Sequence, residues 1–102
     1  MRKKEYVNKS PLTSFQLLER VIVQSPEQLL DLANLLKSGK PILVSFELID
    51  VEDANRIIGF LSGVVYALEG STHYIADKTI LFASKKNYED GTLDQFVKER
   101  NS

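Results

Sequence analysis

Four carboxylates, Glu47, Asp50, Glu52 and Asp53, crowd into residues 47–53 and form the densest group of chemistry-bearing side chains in the chain. Paired carboxylates do acid–base work or hold hard cations when they converge in a pocket. Asp50 and Asp53, however, stand directly ahead of an apolar run of helical period, where acidic side chains offset the positive end of the helix dipole. A capping role is therefore expected of them. His73 is the single histidine and cysteine is absent. A lone imidazole builds no zinc site, and without thiols there is no disulfide or thiolate chemistry. No serine sits in a Gly-x-Ser-x-Gly elbow. Leu68-Glu69-Gly70-Ser71-Thr72 lacks the glycine and lysine spacing of a phosphate loop. No catalytic, cofactor-binding or metal-binding residue is assigned, and the chain is not expected to be an enzyme or to need a cofactor.

Charge narrows the partners further. Thirteen basic side chains against 14 acidic ones leave a net charge of −1. Nucleic-acid binders carry a positive excess, because their affinity comes mainly from Lys and Arg meeting phosphates. No nucleic-acid partner is expected on that ground. No apolar run approaches the roughly 20 residues that span a bilayer. The basic start Met1-Arg2-Lys3-Lys4-Glu5 has no signal-type apolar core behind it, which points to a cytoplasmic protein. At 102 residues the chain makes one small domain.

These features need a frame, and the hydrophobic pattern supplies one. Val21-Ile22-Val23 reads as a short strand. Ser25-Pro26-Glu27-Gln28 is a helix start with a capping box, Leu29, Leu32, Ala33 and Leu36 repeat at helical spacing, and Gly39 closes the helix. Ile42 to Phe46 is a near-continuous apolar strand, the pattern of one covered on both faces. A second helix follows, closed by Gly70, then strands at 72–76 and 79–83 about a tight Asp77-Lys78 turn. Thr92-Leu93-Asp94-Gln95 reads as another capping box, with Leu93, Phe96 and Val97 turned inward. The fold class is α/β, an α+β sandwich of order β-α-β-α-β-β. Two helices pack on a small mixed sheet, and a short C-terminal helix follows.

Two surfaces stand out within that frame. On the second helix Ala54, Ile57, Ile58, Leu61, Val65 and Leu68 form one face, and Phe60, Val64 and Ala67 widen it beyond what one sheet covers. Gly59 and Gly63 sit four apart beside this edge, and each costs about 1 kcal/mol against alanine in a helix interior. A subunit contact through Gly59, Phe60, Gly63, Val64 and Ala67 is expected, the competing readings being a packing need against the chain's own sheet or simple tolerance of the two glycines. In the hairpin, Tyr74, Ala76, Ile80 and Phe82 share one face while His73, Ile75, Leu81 and Ala83 share the other. Both are partly apolar. One covers the helices; the other needs water, a partner or a second sheet, the competing reading being that the C-terminal helix with Phe96 covers it.

The block Phe60-Leu61-Ser62-Gly63, then Tyr66-Ala67-Leu68 and Gly70, continues into Tyr74-Ile75-Ala76-Asp77-Lys78 and Ile80-Leu81-Phe82, and reaches back to Ala54-Asn55-Arg56-Ile57-Ile58. In wording and order it closely resembles SepF, the bacterial cell-division proteins that tie the tubulin-like FtsZ filament to the membrane and to one another. The resemblance implies a cytoplasmic, non-enzymatic scaffold at the division site. It also implies a homodimer whose sheets meet face to face and which assembles into higher polymers. Its groove would take the mixed apolar and acidic C-terminal tail of FtsZ at Tyr74, Ile80 and Phe82. Ile80 and Ser84-Lys85-Lys86 stand where the family usually has an aromatic and, soon after the last strand, a proline. The membrane-seeking amphipathic helix that usually opens such proteins is not evident in residues 1–20, so a direct membrane link is not expected from them. The organisation expected is a loosely docked or poorly ordered tail at 1–20, the SepF-like domain at 21–85, and an extension with a short helix at 86–102. A small RNA-binding module of the same element order, as in the C-terminal domain of bacterial translation initiation factor three, is the alternative. Such a module requires a basic face, and the near-neutral charge balance argues against one.

Overall fold

The computed structural model describes residues 12–101, with the side chain of Asn101 excepted; the part of the expected N-terminal tail before Leu12 lies outside the described residues. The elements are α1 (Ser14–Leu17), β1 (Glu19–Ile22), α2 (Leu29–Lys37), β2 (Ile42–Ser45), α3 (Val51–Ala67), β3 (Ser71–Ala76), β4 (Thr79–Ala83) and α4 (Thr92–Asn101). The strands form one mixed sheet in the order β1-β2-β4-β3. β1 runs parallel to β2, and β4 is antiparallel to both of its neighbours. The α+β class and the β-α-β-α-β-β order read from the sequence are what the chain adopts.

Strand alternation sorts the core into two compartments, because successive side chains point to opposite faces. Val23, Ile42, Val44, Phe46, Ile80 and Phe82 meet Leu32, Ala33 and Leu36 of α2 and Ala54, Ile57, Leu61 and Val65 of α3. Leu43 and Leu81 face the other way and meet Val97, with Leu18, Ile75 and Phe96 around them. α4 therefore covers the second face of the sheet. The need for a cover, left open between water, a partner, a second sheet and the chain's own C-terminal helix, is met by that helix.

Local signals hold most of this in place. Ser25 and Gln28 form the expected capping box, on a short 3-10 turn at Pro26–Gln28 that leads into α2. Asp50 caps α3, its carboxylate accepting from the Asp53 N–H at 2.9 Å. Gly39 follows α2 with φ +98°, a left-handed conformation that glycine adopts without a steric penalty. After α3 it is Glu69 that goes left-handed, at φ 57°. Gly70 is needed for closeness instead, since a Cβ there would run into the main chain of Ala83 and Ser84.

Several local details differ from the sequence reading. β1 begins at Glu19 rather than Val21, and Val23 still donates to the Ser45 carbonyl at 3.0 Å. β3 carries an irregularity at Ile75, so that Tyr74 pairs with Ile80 but Ala76 pairs with Thr79. α4 is not opened by a Thr92–Gln95 box. Thr92 is its first residue, and Asp90 supplies the cap, its Oδ1 accepting from the Thr92 N–H at 3.0 Å and hydroxyl at 2.8 Å.

The same aspartate reaches the other end of the chain. Its Oδ2 accepts from the Ser14 N–H at 2.8 Å, and the Thr92 hydroxyl oxygen accepts from the Phe15 N–H at 3.0 Å. These are unpaired first-turn donors of a one-turn helix. Thr13 and Gln16 close a capping box on the rest of that turn. The Phe15 and Phe96 rings lie 5.5 Å apart, which seats α1 against α4. The donated N–H groups hold the Asp90 carboxyl below the usual carboxylate range.

Candidate binding groove and helix face

Two elements far apart in sequence come together beside the hairpin. The β2–α3 loop brings Phe46 and Ile49, and the first turns of α3 bring Val51, Ala54, Asn55 and Ile58. Opposite them stand Tyr74, the turn residues Asp77 and Lys78, and Ile80. Between them runs a groove of about 210 Å³ with an apolar floor and a charged lip. The Phe46 N–H donates to the Lys78 carbonyl at 2.8 Å, which fixes the turn to the loop. Lys78 itself takes φ 65°. That left-handed geometry is uncommon for a residue with a side chain and sets where the turn points.

Of the three hairpin residues expected to meet a partner, the structure brings two to this groove. Tyr74 is 64% exposed at its rim, whereas Ile80 forms part of its floor at 0% exposure. Phe82 is equally buried, further along β4 under the helices, and does not line the groove. The expectation that Ile80 and Phe82 present free side chains to a partner is thus corrected: both belong to the main core. The reason is the shared face itself, for the face holding Ile80 is the one α2 and α3 cover.

Sequence reasoning missed the contribution of Phe46, Ile49, Val51, Asn55 and Ile58. One signal was present. Val51 follows the cap Asp50 outside any core period and is 69% exposed, whereas Ile49 on the other side of the cap is half-buried against the core. An apolar residue at a helix start with no core to enter marks a surface open to contact.

The outer side of α3 is the second candidate surface. Gly59, Gly63 and Ala67 are exposed, Phe60 is 42% exposed, and Val64 is half-buried against the core. A Cβ added at Gly59 or Gly63 meets nothing within 4 Å. The chain's own sheet does not demand these glycines, which removes a packing need as their explanation. Tyr66, next on this side, is 85% exposed.

The remaining chemistry-bearing side chains do structural work. Asp53 pairs with Arg56 at 3.0 Å, and among the described residues no group of three or more His, Asp or Glu could hold a metal ion. His73 lies with its Nε2 3.4 Å from the Ser71 hydroxyl and its ring edge-on to Tyr88, centroids 5.8 Å apart. The Tyr88 hydroxyl donates to the Ser71 carbonyl at 3.0 Å, and burial pushes its pKa up. A shallower cleft of about 310 Å³ lies over the Phe15–Phe96 pair, rimmed by Thr13, Gln16, Gln95 and Glu99. None of its lining residues is among the candidate binding or self-association residues read from the sequence. No helix among the described residues is long and apolar enough to cross a membrane.

Comparison with known proteins gives a consistent result. Residues 21–87 match the family described as cell division protein SepF. The chain is similar to the cell division protein SepF of Carboxydothermus hydrogenoformans, 34% identical over 90% of this chain and 77% of the relative. It is also similar to the namesake protein of Caldanaerobacter subterraneus, 40% identical over 76% of this chain and 60% of the relative. With the one from Natranaerobius thermophilus it shares 37% identity over 67% of this chain, but only 41% of that protein's length.

Proposed function

The chain belongs to the SepF family of cell division proteins, and from that premise we propose that it is a non-enzymatic scaffold of the division site that associates with itself and binds the C-terminal tail of FtsZ. The observation that carries the tail-binding part is the groove between α3 and the β3–β4 hairpin. A short segment of mixed apolar and acidic character needs apolar anchor points and a polar lip. Ile49, Val51 and Ile58 offer the first, over a floor made by the buried Phe46 and Ile80, and Asn55, Asp77 and Lys78 offer the second. In contacts of this kind a few buried anchors carry the affinity, while rim charges set approach and register. Self-association is supported by the open glycine strip on α3, whose cost of about 1 kcal/mol per glycine nothing inside the chain offsets. Small residues there let a second helix come close, with Phe60 and Val64 as the apolar edge. The scaffold acts in the cytoplasm and uses no cofactor.

Val51→Asp tests the groove. Val51 is the first residue of α3 and largely exposed, so an acidic side chain there suits the helix dipole and leaves the fold in place. In calorimetry with a synthetic C-terminal tail of C. hydrogenoformans FtsZ, the variant is expected to lose binding that the unaltered chain shows. Unchanged affinity would move the site elsewhere, and an unaltered chain that takes up no tail would end the reading.

A further inference from the structure

The groove opens beside an unpaired edge of the sheet, and the hydrogen-bond parity of the strands shows which main-chain groups that edge presents. In β2 the residues serving β1 are known at both ends, since Glu19 donates to the Pro41 carbonyl and Val23 to that of Ser45. Alternate residues of a strand turn their main-chain groups to opposite neighbours. Ile42 and Val44 therefore serve β4, in line with the Phe46–Lys78 bond that continues the ladder. Their partners Phe82 and Ile80 are thereby engaged, and Leu81 and Ala83 are left to bond His73 and Ser71 of β3. The N–H and C=O groups of Thr72 and Tyr74 consequently point outward from the edge strand. Among the described residues no hydrogen bond from these four groups is recorded on that side.

We propose that the partner segment binds as an added fifth strand along β3, pairing its main chain with Thr72 and Tyr74 and placing one apolar side chain in the adjoining groove. The proposal rests on the tail-binding reading above and gives that reading a geometry. Three observations favour a short extended segment. Four outward main-chain groups in a row are satisfied together only by another extended backbone. The Thr72 and Tyr74 side chains lie on the helix side of the sheet with Phe82 and Ile80, so alternate residues of an added strand stand at the groove mouth. The irregularity at Ile75 ends the straight edge after Tyr74. A ladder that short suits a linear peptide better than the sheet of a second copy.

Thr72→Pro is the decisive variant. Proline removes one outward N–H, and its ring blocks an incoming strand, yet edge positions with a solvent-facing N–H tolerate it. Calorimetry with the FtsZ tail peptide is expected to show affinity weakened roughly tenfold or more, while Thr72→Ala stays near the unaltered chain. Peptides methylated at single main-chain nitrogens test the same point without altering the protein. Methylation should weaken binding at every second residue across the paired stretch and leave those between unaffected. If Thr72→Pro folds and binds within twofold of the unaltered chain, or if methylation shows no alternation, the added strand is refuted and the groove alone remains. If the proline variant instead loses self-association and keeps the peptide, the edge belongs to a second copy and the proposal is overturned. Failure of the unaltered chain to take up the peptide would remove the tail-binding reading itself.

Discussion

Replacing Ile80 separates folding from binding at this hairpin. Its side chain is wholly inside the core, with Val44 opposite it on β2 and Tyr74 on β3. Truncation to alanine removes buried methyl groups and leaves a void that α3 and the sheet only partly fill. Such changes cost about 2–5 kcal/mol, and the smaller step to valine about 0.5–1.5 kcal/mol. Small domains hold only about 5–15 kcal/mol in total. Ile80→Ala therefore consumes a large fraction of the stability, and Ile80→Asp, which places an unpaired carboxylate in an apolar site, is expected to leave the chain unfolded. With a urea dependence of about 1 kcal/mol per molar for a domain of this size, the alanine midpoint falls by roughly 2–5 M. Urea unfolding of the valine, alanine and aspartate variants, followed by circular dichroism, measures the series directly. An alanine variant within about 1 kcal/mol of the unaltered chain, or a well-folded aspartate variant, would refute the placement of Ile80 in the core. Loss of tail binding by an Ile80 variant is then evidence about the groove only at conditions where the variant is shown to be folded.

Two further outcomes test other parts of the molecule. Gly63→Lys puts a charge and a long stem on the open strip of α3, and since a Cβ there meets nothing in the same chain the fold should persist. Light scattering at micromolar concentration should show an oligomer for the unaltered chain and a smaller species for the variant; an unaltered chain that is monomeric would sink the self-association reading. Asp90 ties α1 to α4 through the Ser14 and Thr92 N–H groups, which lower its pKa. A carboxyl depressed in the folded state contributes above its unfolded value and loses that contribution as pH falls through the folded one. The clasp should therefore be intact at neutral pH and open in acid. Ring proton shifts of Phe15 and Phe96 in NMR spectra should follow that transition, and Asp90→Asn should abolish it.

Most of the fold was legible because its signals are local. The Ser25–Gln28 cap, the Asp50 cap, the two-residue hairpin turn and the helical stripes all lie within a few residues of what they control. The failures share a cause of the opposite kind. Asp90 and Thr92 both suit a helix start, and what settles between them is a hydrogen bond to Ser14 at the far end of the chain. Alternation in the hairpin correctly put Tyr74, Ile80 and Phe82 on one face, but both faces are apolar, so pattern alone could not say which one the helices cover. Apart from the exposed Val51, the groove was hidden for the same reason. It exists only because strand order places the hairpin turn next to the start of α3, and that adjacency is written in no single segment.

The clasp between α1 and α4 also has a mechanical meaning. Any pull on the chain ahead of Thr13 loads the short α1 before it reaches β1. Part of that load crosses to α4 through Asp90 and the Phe15–Phe96 ring contact. α1 has only a single turn of its own, so the first structure to yield is this contact rather than the sheet. The bonds holding it are a few main-chain donors on one carboxylate and one hydroxyl, which break one after another as the helix peels away. β1, by contrast, meets β2 along parallel strands whose bonds share a lengthwise load. The domain thus has a weak link in series ahead of a strong one, and tension on its N-terminal side is spent on α1 while the groove and the glycine strip keep their shape.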